Sequence, residues 1–194
     1  MFRDIELFKP KFVRTERQCS TYDIGIDYFY NPDNIENEEN IYFDFVNEEY
    51  VARNKKLYPN LTLKKYLERV NYEKGFIAYH ISLRSADNKR ALLVFESDKK
   101  GGDEVIKKLT RLVREKGVKF ILKTSGNRSL HLVIPIIAET EEEYNRRWLG
   151  VFYLLDARDR EFIDEQLNKF SGQVRGFESL HLKTYNKSEV LESG

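Results

Sequence analysis

The sequence predicts an α+β fold, with a mixed or antiparallel central sheet flanked by helices and an open cleft. Three observations predict it. Apolar runs of strand length occupy residues 91–95 (ALLVF) and Leu130–Ile137 (LHLVIPII). Val105, Ile106, Leu109, Leu112 and Val113 recur at helical spacing between them, and Gly117 closes that helix. Ser125-Gly126-Asn127-Arg128 reads as a turn between two strand segments, so residues 118–123 and Leu130–Ile137 form a hairpin.

The other elements follow in order. Residues 22–30 alternate and read as a strand, and residues 31–40 (NPDNIENEEN) form a loop, because Asn, Asp and Pro favour turns and the acids repel one another. Residues 41–46 (IYFDFV) read as a strand with Asp44 inside it. From Thr62, the residues Leu63, Tyr66, Leu67 and Val70 predict a short helix that Gly75 ends. Residues 76–83 (FIAYHISL) form the next strand, and Asp87-Asn88 turn the chain into residues 91–95. Residues 141–155 form a helix with Tyr144, Trp148, Val151, Phe152 and Leu155 facing inward. The whole chain, 1–194, reads as one domain, with residues 1–75 as an N-terminal layer on a motif-bearing core at 76–184.

Composition narrows the class. The 194 residues carry 33 Lys+Arg against 32 Asp+Glu, which excludes a uniformly basic nucleic-acid binder. Charge is segregated, however: residues 31–50 hold seven acids and no base, and residues 99–131 hold ten Lys/Arg and three acids. A basic segment in a near-neutral chain suits a protein that grips a polyanion at one place. One cysteine rules out a disulfide framework and a cysteine-rich zinc site, and the absence of a long apolar run argues against membrane insertion. A cytoplasmic protein without zinc is expected.

The chemistry-bearing residues lie in the second half. Glu96 and Asp98, two apart at the end of an apolar run, share one face of an extended chain, and paired carboxylates call for a cation such as Mg²⁺ or Mn²⁺. In SGNRSLH, the Ser125-Gly126 turn offers backbone N–H groups, Arg128 a planar fork of donors, and Ser129 and His131 one strand face. A second segment repeats the pattern: Arg175, then Ser179-Leu180-His181-Leu182-Lys183-Thr184. With Asp164 after Phe162-Ile163, these are parts for metal-dependent phosphoryl transfer.

Together and in order, these motifs resemble those of the archaeo-eukaryotic primase superfamily, the primase small subunits and primase-polymerases. LLVFESD matches its strand ending in two acids, Ser125 to His131 its S-G-x-x-x-x-H turn, Ile163-Asp164 its apolar-Asp motif, and Ser179 to Thr184 its S-L-H-x-K-T segment. The resemblance spans residues 76–184. It implies a DNA-directed primase or polymerase in which Glu96, Asp98 and Asp164 hold two divalent ions. It further implies that Ser125, Arg128, Ser129, His131, Arg175, Ser179, His181 and Lys183 bind the nucleoside triphosphate. Single-stranded DNA would be the template, with a helicase or an accessory priming domain or subunit as a further partner.

Competing readings are defined by particular residues. Asp44 and Glu48 form an alternative acidic pair, but at i, i+4 they share a face only on a helix. His80 reads as a core or template-side residue, and Asp156 and Asp159 compete with Asp164 for the third metal position. Glu96, where the family has Asp, and Glu178 beside the phosphate segment favour a catalytically silent, nucleic-acid-binding subunit of a replication or repair complex. A metal-dependent nuclease or hydrolase uses the acids and leaves both Ser-x-His segments unexplained.

Overall fold

The computed structural model describes residues 3–17, 40–70, 77–127, 129–179, 181 and 186–194. The expected strand at 22–30 and most of the acidic loop fall outside them. In order, the elements are α1 (Arg3–Phe8), β1 (Phe12–Arg17), β2 (Asn40–Val46), β3 (Glu49–Ala52), α2 (Leu63–Val70), β4 (Ile77–Ser82), β5 (Arg90–Phe95) and α3 (Gly102–Glu115). There follow β6 (Ile121–Thr124), β7 (Leu130–Ile137), α4 (Glu141–Phe152), α5 (Ala157–Arg160), a 3₁₀ turn at Glu165–Leu167, β8 (Gln173–Arg175) and β9 (Val190–Ser193).

The α+β fold is present, and its sheet is divided in two. One sheet has the order β3-β2-β1-β4-β8 and the other β5-β7-β6-β9; every strand pairing within them is antiparallel. Strands from both halves of the chain share the five-stranded sheet, since β1 pairs with β4 and β4 with β8.

Side-chain alternation on β5 and β7 explains how the layers stack. Ala91, Leu93, Phe95, Leu130, Leu132 and Ile134 turn to one face and bury against α3 and α4. Leu92, Val94 and Val133 turn to the other and join the core of the five-stranded sheet with Val13, Phe43 and Ile81. Both faces of β5 are therefore covered, which is why its sequence is an unbroken apolar run. On α4, Tyr144, Trp148 and Phe152 are buried, and Trp148 stacks between Phe95 and Phe152 at centroid distances of 5.1 and 4.8 Å. Thr140 starts this helix with a capping box closed by Glu143.

Two boundaries differ by three residues from the sequence expectation. Strand β6 begins at Ile121 rather than 118, since Val118 still donates to the Val113 carbonyl to close α3 past the left-handed Gly117. Helix α4 stops at Phe152, because Leu154 and Leu155 donate to carbonyls three residues back and the Asp156 side chain then caps α5.

Candidate active site

Strand register brings the first two motifs together. β5 and β7 are neighbours with Phe95 opposite Leu132, so the chain just beyond β5 lies beside His131. Glu96 Oε2 accepts a hydrogen bond from His131 Nε2. The acids and the hairpin thus lie in one sheet. The cleft lies between this sheet and the β4–β8 edge of the other.

That cleft has a volume of about 320 Å³. Glu96, Asp98, Ser125, Ser129 and His131 line one side, and Arg175 and His181 come from the far segment. Asp98 is exposed and makes no hydrogen bond among the described residues. The turn is closed by Ser125 N–H donating to the Ser129 carbonyl at 2.9 Å, and Ser129 Oγ donates to Ser125 Oγ at 3.1 Å. Gly126 has φ +81°, and a Cβ there would stand 2.7 Å from the Asn186 carbonyl oxygen and 3.0 Å from the His181 Cβ. Only glycine lets the Ser-Gly turn approach the second Ser-x-His segment this closely.

Two expected site residues hold structural positions. Ser179 is fully buried, and its Oγ accepts the Tyr79 N–H at 2.8 Å, away from the cleft lining. Asp164 is joined to Glu96 through its backbone, donating its N–H to the Glu96 carbonyl at 3.0 Å, while its Oδ1 accepts the Gln166 N–H and caps the 3₁₀ turn. Among the described residues, no three His, Cys, Asp or Glu side chains form a group that could hold a metal ion. Arg128 and Lys183 lie outside the described residues.

The competing acids are engaged elsewhere. Asp44 takes a two-pronged hydrogen bond from Arg53, and Glu48 pairs with Lys9 at 2.9 Å. Asp156 and Asp159 both pair with Lys108.

Three residues that the sequence reading did not place in the site also line or support it. Asn127 and Gln173 line the cleft. Arg14, on β1, stands in register with His80 and Arg175 across three strands, and its Nη2 lies 3.2 Å from His80 Nδ1. No motif signals Arg14, since its place is set by pairing between strands far apart in sequence.

Electrostatics fix the protonation states. Burial would raise the Glu96 pKa, yet the hydrogen bond from His131, with the charges of Lys123 and Arg175, holds it below the ordinary value, so it is an ionised carboxylate. Burial pulls His131 down against the opposing pull of Glu96. His131 Nδ1 is buried without a hydrogen-bond partner among the described residues.

Burial, followed by the charges of Arg14 and Arg175, pushes His80 down to about 2. Although Glu16 lies 3.9 Å from its Nδ1, Arg14 stands closer to the same atom, and the imidazole stays neutral. The native state thus refuses a proton that the unfolded chain accepts below pH 6.5, and stability falls as pH falls through that value. At about 1.4 kcal/mol per pH unit, His80 alone is expected to cost about 2 kcal/mol between pH 7 and 5. Urea denaturation of the His80→Gln variant should show that much less acid sensitivity; identical pH dependence in both proteins would mean that His80 protonates freely in the fold.

Comparison with solved structures decides the architecture. The chain is similar to the polymerase domain from Mycobacterium tuberculosis Ligase D in complex with DNA, with a TM-score of 0.55 and 13% identity over 97% of this chain and 77% of that one. The two chains share a fold. No family model and no curated protein matches the sequence. No helix among the described residues is long and apolar enough to cross a membrane.

Proposed function

We propose that this protein is a template-directed nucleotidyltransferase, a DNA primase or primase-polymerase core that joins nucleoside triphosphates on single-stranded DNA. One observation carries the reading. Two carboxylates, Ser129 and His131 of the first Ser-x-His segment and His181 of the second, separated by tens of residues, converge on one cleft that also holds Arg175. Carboxylates alone would suit a hydrolase; the phosphate-type donors facing them suit a triphosphate.

Oxygen donors such as Glu96 and Asp98 fit Mg²⁺ or Mn²⁺, and Asp164, one backbone hydrogen bond from Glu96, would serve as a third carboxylate by giving up its cap on the 3₁₀ turn. When bound, such ions would polarise the α-phosphate and stabilise charge on the departing pyrophosphate. Arg175, His181 and the Ser125–Ser129 turn would orient the phosphate chain, with Arg128 and Lys183 as further cations and Ser179 holding the second segment on β4. His131 would keep the Glu96 carboxylate fixed and ionised. DNA binding is supported by the architecture shared with a polymerase domain solved in complex with DNA. A helicase or an accessory priming subunit would act alongside, in the cytoplasm.

The Asp164 cap favours a second reading, a silent primase-like binding subunit, because that carboxylate is already engaged. Calorimetry with a nucleoside triphosphate separates the two. Saturable binding that requires Mn²⁺ is expected; no binding at any metal concentration would favour the silent subunit, and degradation of labelled DNA without nucleotides would point to a hydrolase.

A further inference from the structure

Lys123 is fully buried, although it lies on β6 in the hairpin that carries the SGNRSLH turn. Burying an ammonium is costly unless its protons find acceptors. Its Nζ donates to the Arg175 carbonyl and to Ser188 Oγ, both at 2.9 Å, and stands 5.7 Å from the centre of the Phe177 ring. Ser188 in turn donates through Oγ to the Thr124 carbonyl and through its N–H to the Ser179 carbonyl, while Glu178 N–H donates to the Ser188 carbonyl. One side chain therefore ties the hairpin to the start and the end of the second Ser-x-His segment. Lys123 is also the cross-strand partner of His131.

The geometry points to Lys123 as a positioning residue for phosphate recognition: from behind the cleft it locks Arg175 and Ser188 onto the hairpin, and through Ser188 residues 178 and 179, just before His181, and it adds a fixed positive charge. This rests on the triphosphate reading of the cleft. Lys123 does not line the cleft, so it acts through the groups that do. Its field nevertheless reaches them, as it helps to depress the pKa values of His80, Glu96 and His131. A methionine would fill the same space without the cost of burying a charge, so a purely structural filler has no need of the ammonium.

The test uses the full chain and inorganic tripolyphosphate as the probe, with binding read by calorimetry and folding by circular dichroism. Lys123→Met is expected to fold, to bind tripolyphosphate at least about tenfold more weakly, and to raise KM for the nucleoside triphosphate by a similar factor while kcat at saturation changes less than about threefold. Wild-type affinity and KM in folded Lys123→Met would overturn the role. Should that variant not fold, Ser188→Ala decides: it removes one acceptor and leaves the ammonium, so weakened tripolyphosphate binding supports the latch and unchanged binding refutes it. Failure of the wild-type protein to bind tripolyphosphate would overturn the reading of the cleft and the role of Lys123 with it, whereas normal wild-type binding matched by Lys123→Met overturns the latter alone.

Discussion

Asp98→Ala is expected to leave the protein folded and to reduce nucleotide incorporation on a DNA template by at least about 1000-fold, equivalent to about 4 kcal/mol of transition-state stabilisation. The fold should tolerate the change because Asp98 is exposed, lies beyond the end of β5 and makes no hydrogen bond among the described residues. An exposed carboxylate without a structural partner, on the lip of a cleft filled with phosphate-type donors, has metal ligation as its best use. Incorporation rates measured beside melting curves check both halves. A folded variant with unimpaired incorporation would remove Asp98 from the machinery.

The second large effect is on stability. His131→Ala removes the hydrogen-bond donor to a carboxylate that is only 17% exposed, and leaving that charge without its partner is expected to cost about 2 kcal/mol. The lost hydrogen bond also lets burial dominate, so the Glu96 pKa should rise; a native carboxyl that binds its proton more tightly than the unfolded chain gains stability as pH falls, so the loss should be largest near neutral pH and shrink on acidification. A double-mutant cycle with Glu96→Ala isolates the pair: the combined loss should be smaller than the sum of the single losses. Additive losses would mean that the two side chains do not interact.

Much of this was legible in the sequence, for identifiable reasons. β5 and β7 were visible because both of their faces are buried, which leaves apolar runs, and α3 because its stripe repeats at helical period. Glu96, Asp98, Ser125, Ser129 and His131 were legible as a site since they lie within or next to a single hairpin sheet. The division into two sheets was not legible: β4 and β8 join β1 through pairings between distant segments, and short strands such as Gln173–Arg175 carry too few residues to show a period. For the same reason Arg14 and Lys123 escaped notice, as a cation inside a strand gives no sign of what it faces. Ser179 and Asp164 were read for chemistry, whereas their side chains here accept backbone N–H groups. Short polar side chains do both, and local sequence does not distinguish the two uses.

The most direct test of the central claim is incorporation itself. The protein would be incubated with single-stranded DNA, bare and with an annealed primer, labelled nucleoside triphosphates, and Mg²⁺ or Mn²⁺. Template-dependent products that require the metal and vanish in Asp98→Ala are the predicted result; no product on either substrate with either metal, from protein shown to be folded, would contradict it.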